Sequence, residues 1–269
     1  MNKWITFDLD GTLMQNPFSA WIFPEVEQLI CGELNRNIEV GKALFQEHKL
    51  RMERRETVAA YDWDDIVRQL SQEWGLSLSI DIEQLLLKHA AAPKIYLLDD
   101  TVLPTLEELK KKGYSLAAVT NGFRKYQYPV MEKLGIGSLF DDIVTPERMG
   151  CGKPDSGILR ELRQDGIIMA HVGDRLDHDI HMANQSGIPS VLVARDLPAG
   201  LELLSPAKRT AQAPFLQHCE EQLRKENPEL HATLEPEAYR PAYAICQIDE
   251  LLACIDELSL RSGSATAAD

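Results

Sequence analysis

The sequence lacks the features that define disulfide-rich, zinc-binding and membrane-spanning proteins. Its five cysteines form no CxxC pair and show no zinc-ligand spacing, so we interpret them as reduced thiols that pack like small hydrophobic side chains. No stretch reaches the roughly 18 consecutive apolar residues of a membrane span. The first predicted strand begins almost at Met1, without the basic segment and long apolar stretch of a signal peptide. We therefore expect a cytoplasmic protein without a membrane partner.

Positive charge is also scarce. The chain has 28 Lys and Arg residues against 42 Asp and Glu, which gives a formal net charge of −14. Binding to a nucleic acid backbone normally needs a basic face, so a nucleic acid polymer is not an expected partner. Basic residues do gather at Lys49, Arg51, Arg54 and Arg55. At helical spacing such a run is more often a solvated face than a substrate-binding one.

Apolar runs and turn signals predict an α/β fold with a doubly wound parallel sheet. A short apolar strand near the N-terminus is followed, after Pro93, by strands that alternate with helices. Alternation at this spacing implies right-handed crossovers between parallel strands. The predicted strands cover residues 4–7, 114–119, 143–144, 168–172, 190–193 and 243–247, and the predicted helices of this region cover residues 103–112, 125–134, 177–186 and 249–257, with one more after Asp155.

Two stretches interrupt this alternation. Residues 15–93 have helical periodicity throughout, with predicted helices at 23–35, 40–55, 64–74 and 81–91 and Asp62 as an N-cap. We therefore expect a helical domain at 15–93, inserted into a catalytic core formed by residues 1–14 and 94–269. Residues 195–241 carry six prolines and one predicted amphipathic helix at 214–225, so we interpret them as an insertion within the core. The small, polar tail from residue 262 is predicted to be disordered.

The first candidate site is the string Asp8-Leu9-Asp10-Gly11-Thr12, which directly follows the first predicted strand. Side chains two residues apart in an extended chain leave on the same side, so Asp8 and Asp10 are expected to act together. One can attack phosphorus while the other transfers protons. Gly11 permits a sharp turn, and the loop through Thr12 can hold phosphate oxygens. Read alone, this string could equally be a surface feature.

Two further strings offer a hydroxyl, backbone amides and a cation. Thr120, Asn121 and Gly122 follow the predicted strand at 114–119, where a hydroxyl and a free amide can bind a phosphoryl oxygen. Lys153 lies between Gly152 and Pro154, where an ammonium can stabilise charge on a transferred phosphoryl group. The alternatives are a simple turn cap for the first string and a solvated lysine for the second.

The last string supplies more carboxylates. Asp174 follows the predicted strand at 168–172, and Asp179 comes five residues later at the start of a helix, with Asp177 between them. Mg²⁺ prefers oxygen ligands, and a carboxylate from a second strand end complements Asp8. Aspartates at a helix N-terminus can instead be capping residues, which is the interpretation we favour for Asp177.

In order and combination, these strings resemble the four motifs of the haloacid dehalogenase superfamily. The match includes the whole of Phe7-Asp8-Leu9-Asp10-Gly11-Thr12-Leu13 and extends over residues 3–13 and about 99–193. The resemblance implies a Rossmann-like core, and a helical insert of this length resembles the first type of cap domain in the superfamily. The strings at 119–123 and 152–155 look most like the helical-capped branch that contains 5′-nucleotidases and acylneuraminate phosphatases.

The same resemblance implies a role for each motif residue. Asp8 is expected to be the nucleophile that becomes an aspartyl-phosphate, Asp10 the general acid/base and a backbone-carbonyl metal ligand, Thr120 the phosphoryl-oxygen binder, Lys153 the charge-orienting residue, Asp174 a direct Mg²⁺ ligand together with Asp8, and Asp179 an outer-shell partner. Thr12, Asn121 and Gly122 are expected to bind substrate.

The expected activity is Mg²⁺-dependent hydrolysis of a small phosphomonoester, a nucleotide or a sugar phosphate. Family members that cleave carbon–halogen bonds lack an acid at the position of Asp10, and transporting ATPases carry lysine where this chain has Leu9. A phosphomutase resembling β-phosphoglucomutase would keep the same acids. A non-catalytic binding protein on the same fold is a third reading, and the complete set of acids argues against it. A homo-oligomer is possible.

Overall fold

A six-stranded parallel sheet forms the centre of the computed structural model, which describes residues 1–228 and 236–265. The strand order is β5-β4-β1-β6-β7-β8, and β2 and β3 form a separate antiparallel pair. The predicted doubly wound α/β fold is therefore confirmed. The strands are β1 (Asn2–Phe7), β2 (Met14–Gln15), β3 (Tyr96–Leu97), β4 (Ser115–Val119), β5 (Asp142–Val144), β6 (Gly166–Gly173), β7 (Ser190–Val193) and β8 (Tyr243–Ile245).

The central strands are apolar because both faces of the sheet are covered. On one face, Ile5 and Phe7 of β1 are fully buried, and on the other face Trp4 of β1 is buried with Ala117 and Val119 of β4. Strands buried on both faces have continuous apolar sequences rather than alternating ones. The pair β2 and β3 was not predicted, because two-residue strands leave no periodic signal. Strand β8 ends at Ile245, two residues before the predicted end.

Helices cover both faces of the sheet and fill the segment between β2 and β3. Among the helices of the described residues, none combines the length and the apolar sequence that a membrane span requires. The helices are α1 (Phe23–Leu34), α2 (Val40–Glu53), α3 (Thr57–Ala60), α4 (Trp63–Glu73), α5 (Ile82–His89), α6 (Val102–Lys111), α7 (Arg124–Lys133), α8 (Pro146–Met149), α9 (Arg160–Asp165), α10 (His181–Gln185), α11 (Pro206–Arg209), α12 (Ala213–Glu226) and α13 (Glu250–Ala265).

The segment 15–93 is helical, as predicted, and it packs on the core through aromatic side chains. Asp62 caps α4 by accepting a hydrogen bond from the backbone amide of Asp65 at 3.2 Å. Phe18 contacts Tyr126 of α7 edge-on, with ring centroids 5.4 Å apart. The hydroxyl of Tyr126 donates to Asp64 at 2.8 Å. These contacts join the helical segment to the sheet on the side where α7 begins.

The insertion 195–241 is more helical than predicted. Besides α12, at nearly the predicted position, it contains α11 and a 3₁₀ turn at Leu201–Leu203. Phe215 and Leu223 of α12 are buried against Leu176 and Ile180, so the helix is fixed to the end of the sheet that follows β6. Residues 229–235 lie outside the described residues.

The C-terminal helix is longer than predicted. It was expected at 249–257, with disorder from residue 262, but α13 runs from Glu250 to Ala265. The disorder prediction is therefore wrong for residues 262–265. Elongation of a helix that has already formed adds one hydrogen bond for each residue fixed, and the small residues there include no proline to end it. The remaining predicted tail, residues 266–269, lies outside the described residues.

Candidate active site

Three adjacent strands deliver the candidate residues to one edge of the sheet. Asp8 directly follows β1, Thr120 follows β4 and Asp174 follows β6, and β1 lies between the other two strands. The carboxyl ends of parallel strands share an edge, and ligands bind where the strand order reverses, which here is β1. Lys153 comes from the loop after α8. The structure therefore brings all four motifs together.

Lys153 is buried between two carboxylates. Its Nζ lies 2.6 Å from Asp8 Oδ1 and 2.7 Å from Asp179 Oδ1, and its side chain is 2% exposed. Burial alone would lower the pKa of Lys153, but Asp179 and Asp8 raise it above its ordinary value, so the amine is charged. Burial would likewise raise the pKa of Asp179, yet Lys153 and His171 hold it below its usual range. This lysine therefore fixes the orientation of the Asp8 carboxylate.

Asp174 faces the loop that follows β1. Its Oδ1 accepts a hydrogen bond from the hydroxyl of Thr12 at 2.9 Å. Gly11 has a φ of +84°, and a Cβ at that position would lie 2.4 Å from Asp174 Oδ2, so only glycine lets the two loops approach this closely. Thr12, which was predicted to bind substrate, thus places its hydroxyl on the carboxylate of Asp174.

Asp10 is held by a residue that the motifs did not reveal. Gln127 of α7 is 3% exposed, and its Nε2 donates to Asp10 Oδ2 at 2.6 Å. The other oxygen, Asp10 Oδ1, is buried without a hydrogen-bond partner. Burial raises the pKa of Asp10 to about 6, and the charge of Asp8 adds to the rise. Asp10 therefore has a free oxygen and a pKa close to neutrality.

Gly122 makes room for this contact. A Cβ on Gly122 would lie 2.1 Å from Gln127 Nε2, so any larger residue would displace the amide that holds Asp10. The backbone amide of Gly122, predicted to bind substrate, donates to Thr120 Oγ1 at 3.1 Å. That hydroxyl still has its own hydrogen to donate. Gly122 thus helps to position two side chains, because its amide binds the hydroxyl of Thr120 and its lack of a Cβ leaves space for the amide of Gln127.

Asn121 joins the loop after β4 to the loop that carries Lys153. Its Oδ1 accepts from the amide of Lys153 at 2.7 Å, and its Nδ2 donates to the carbonyl of Lys153 at 3.0 Å. Nδ2 also lies 3.3 Å from the hydroxyl of Tyr61, which belongs to the helical segment. The side chain of Asn121, predicted to bind substrate, is therefore committed to contacts within the protein.

Three carboxylates lie near the buried ammonium of Lys153. Ligand oxygens of Asp8, Asp174 and Asp179 lie within 4.8 Å of one another. Both oxygens of Asp179 are already engaged, with Lys153 and His171 on one side and the amide of Arg175 at 3.1 Å on the other. Asp8 and Asp174 remain, and burial together with the charge of Asp8 raises the pKa of Asp174 well above its usual range. Two hard oxygen donors with excess negative charge fit a divalent cation such as Mg²⁺.

The helical segment contributes a neutral aromatic wall beside the site. Burial raises the pKa of Tyr61 and lowers that of His48, so both side chains are uncharged at neutral pH. His48 stacks on Trp63, with ring centroids 5.3 Å apart. The guanidinium of Arg175, on the loop after β6, is bound to Asp177, with Nε 3.0 Å from Oδ1 and Nη2 2.9 Å from Oδ2.

Known proteins show similarity to this chain over the same region. A model of the family described as haloacid dehalogenase-like hydrolase matches residues 2–187. A glyceraldehyde 3-phosphate phosphatase from Methanocaldococcus jannaschii is 27% identical over 199 residues, which cover 72% of this chain and 86% of that protein. A glyceraldehyde 3-phosphate phosphatase from Methanopyrus kandleri is 39% identical over 98 residues, which cover 35% of this chain and 42% of that protein.

A solved structure of a related protein has a similar fold. A HAD phosphatase from Thermococcus onnurineus superposes with a TM-score of 0.59 and 26% identity, and the match covers 74% of this chain and 89% of the other. The family match covers more than half of the described chain and includes all four motifs, so the predicted superfamily and the predicted class of enzyme are confirmed. The chain belongs to the haloacid dehalogenase-like hydrolase family.

Proposed function

We propose that the protein is a Mg²⁺-dependent phosphatase that hydrolyses a small phosphomonoester through an aspartyl-phosphate on Asp8. One observation carries this proposal. At the ends of two adjacent strands, Lys153 holds one oxygen of Asp8, and Thr12 holds one oxygen of Asp174. The other oxygen of Asp174 is left for a cation, and Asp8 would bind the cation through one carboxylate oxygen and attack phosphorus with the other. Relatives named as phosphatases support the same chemistry.

Asp8 is the proposed nucleophile. Its carboxylate is held by Lys153 at 2.6 Å and has little freedom to rotate, which favours in-line attack on a phosphoryl group. The ammonium of Lys153 and the hydroxyl of Thr120 would stabilise the charge on the transferred phosphoryl oxygens. Preorganised donors of this kind act without rearrangement at the moment of reaction.

Asp10 is the proposed general acid and base. A pKa of about 6 allows Asp10 to protonate a departing alkoxide and then, once ionised, to remove a proton from water. We assign both proton transfers to Oδ1, which is buried without a hydrogen-bond partner. Such a group accelerates proton-dependent steps by about 10²- to 10⁴-fold.

Asp8, Asp174 and the backbone carbonyl of Asp10 would hold the metal ion. Bound Mg²⁺ would neutralise the carboxylates and polarise the phosphoryl group. We propose that Asp179 acts from the outer shell, because both of its oxygens already bind protein groups. The free thiols of all five cysteines are consistent with the proposed cytoplasmic location.

The helical segment, residues 15–93, is proposed to be a cap domain that closes over the leaving group. Tyr61 reaches the loop of Asn121, and His48 stands beside it. The neutral side chains of Tyr61 and His48 would suit a polar, uncharged substrate body with a phosphate at one end. Triose and other sugar phosphates fit this description, and relatives named glyceraldehyde 3-phosphate phosphatase support the triose class. Nucleotides remain in the proposed range.

The test is release of inorganic phosphate by the full chain. Wild type, Asp8→Asn and the distant, exposed Asp256→Asn are incubated with glyceraldehyde 3-phosphate, other sugar phosphates, nucleotides and phosphoglycolate, with Mg²⁺ or with EDTA. We expect Mg²⁺-dependent release by wild type and by Asp256→Asn, and none by Asp8→Asn. Background release by all three proteins would contradict the proposal. Isomerised sugar phosphate without inorganic phosphate would identify a phosphomutase instead.

A further inference from the structure

The insertion 195–241 reaches the metal-binding side of the site through two side chains of α12. Gln222 Nε2 donates to the backbone carbonyl of Asp174 at 2.8 Å. It also lies 2.7 Å from Oε1 of Glu226, one helical turn later. The second oxygen of Glu226 accepts hydrogen bonds from the amides of Leu176 at 2.9 Å and Asp177 at 3.0 Å.

These contacts supply hydrogen-bond partners for backbone groups of the loop after β6, namely the amides of Leu176 and Asp177 and the carbonyl of Asp174. Residues Leu176–Ile180 form a single wide helical turn, and the first amides of such a turn have no partner within it. A carboxylate from α12 accepts from two of them, and it also suits the positive end of the turn. The glutamine adds a donor for the carbonyl of Asp174, immediately before that turn. One pair of side chains thus fixes the backbone on both sides of Arg175.

The loop held in this way carries two groups of the candidate active site. Asp174 is a proposed metal ligand, and Asp179 binds Lys153, which in turn orients Asp8. Helix α12 is itself anchored, because Phe215 and Leu223 are buried in the apolar cluster that contains Leu176. A rigid helix therefore sets the position of a loop whose backbone determines where the Asp174 carboxylate points.

We propose that Gln222 and Glu226 are positioning residues for the magnesium centre, so that the insertion is a working part of the active site. The inference rests on the proposed function, in which Asp8 and Asp174 bind Mg²⁺. Partners that orient metal ligands from outside the coordination shell are commonly worth about 10- to 100-fold in metal affinity. We expect changes in this range when either side chain loses its contact with the loop.

The experiment measures Mg²⁺ binding to the metal-free full chain by titration calorimetry. Gln222→Met keeps the length of the side chain but loses the donor, and its dissociation constant should rise about tenfold or more. Glu226→Ala should weaken binding at least as much, whereas Glu226→Gln keeps an oxygen for the two amides and should weaken it less. Gln217→Met is the matched control, since Gln217 is exposed on the same helix and forms the same i to i+4 pair with Glu221 at 2.9 Å.

A purely structural role would give a different pattern. The variants would then melt at lower temperature in EDTA but bind Mg²⁺ as wild type does below the melting transition. Equal dissociation constants for wild type, Gln217→Met and Gln222→Met would overturn the inference and leave the proposed function intact. Absence of Mg²⁺ binding by wild type would refute the proposed metal site, and the inference with it. Recovery of Gln222→Met turnover at saturating Mg²⁺ would support a positioning role.

Discussion

Replacing Lys153 with methionine should destabilise the metal-free protein strongly. The variant keeps the length of the side chain but removes the only lysine that contacts both Asp8 and Asp179 among the described residues. Both carboxylates would remain buried, at 10% and 0% side-chain exposure, beside Asp174. Removal of one partner from a buried ion pair typically costs about 3–5 kcal/mol, because the remaining charge has lost its compensation.

Protonation sets an upper limit on this loss. A carboxylate without its cation can take up a proton instead, which at pH 7.5 costs about 5 kcal/mol for a group of ordinary pKa near 4. We therefore expect the free energy of unfolding in EDTA to fall by about 3–5 kcal/mol. Added Mg²⁺ should recover part of the loss, because a divalent cation compensates the same carboxylates.

Urea denaturation of wild type and Lys153→Met, with EDTA or with Mg²⁺, measures both effects. Lys112→Met is the matched control, since Lys112 Nζ lies 2.6 Å from Asp256 but the two side chains are 32% and 59% exposed. A surface pair of this kind contributes about 1 kcal/mol or less. The reasoning is refuted if Lys153→Met costs no more than Lys112→Met, or if its cost is the same with and without Mg²⁺.

Three further predictions concern Asp10 and its partner. Gln127→Met should lower kcat/KM about 10- to 100-fold for alkyl phosphates, because their leaving groups need a proton from Asp10. It should leave kcat/KM unchanged for aryl phosphates, whose leaving groups depart without a proton. Equal losses for the two kinds of substrate would contradict the role of Gln127. Gly122→Ala should reproduce this pattern, because its Cβ would displace the Gln127 amide; an unchanged alkyl phosphate rate would argue against it. The folded pKa of Asp10, about 6, lies above the ordinary 3.8, so its ionised form destabilises the fold above pH 6, and this cost vanishes as the pH falls toward 4. Asp10→Asn in EDTA should therefore exceed wild type in stability by up to about 3 kcal/mol at pH 7.5 and by little near pH 4 in urea denaturation, and a difference independent of pH would contradict this assignment.

The strand-end residues could be predicted because their positions depend on local sequence. A buried parallel strand requires an apolar run, and the polar residue directly after that run lies at the carboxyl edge of the sheet. Asp8, Thr120 and Asp174 all follow this rule. Lys153 lies on a loop, and its inclusion depended on the resemblance of the combined motifs to a known family.

The partners of these residues could not be predicted, because they depend on tertiary packing. Gln127 is an ordinary polar residue within α7, and its contact with Asp10 arises only when α7 packs beside the loop after β1. Arg51 belongs to a basic run that was expected to be a solvated helix face. It is instead 4% exposed, bound to Glu47 and Asp65 at 2.8 Å each, so the helical segment encloses its own ion pairs.

The contacts of the insertion 195–241 also depend on tertiary packing, so they could not be predicted from the sequence. Its prolines and weak periodicity predicted one helix and left its function open, and α12 was placed correctly to within a residue at each end. The hydrogen bonds from Gln222 and Glu226 connect residues about fifty positions apart along the chain. No local pattern encodes such contacts, which follow from the burial of Phe215 and Leu223 against the end of the sheet.

Mass spectrometry of the acid-quenched enzyme during turnover tests the central claim most directly. With Mg²⁺ and a substrate that is turned over, the account predicts a peptide containing Asp8 that is heavier by one phosphoryl group. The adduct should be absent from Asp8→Asn and from wild type in EDTA. A phosphoryl group on another residue, or turnover without any adduct on Asp8 at any quench time, would contradict the account.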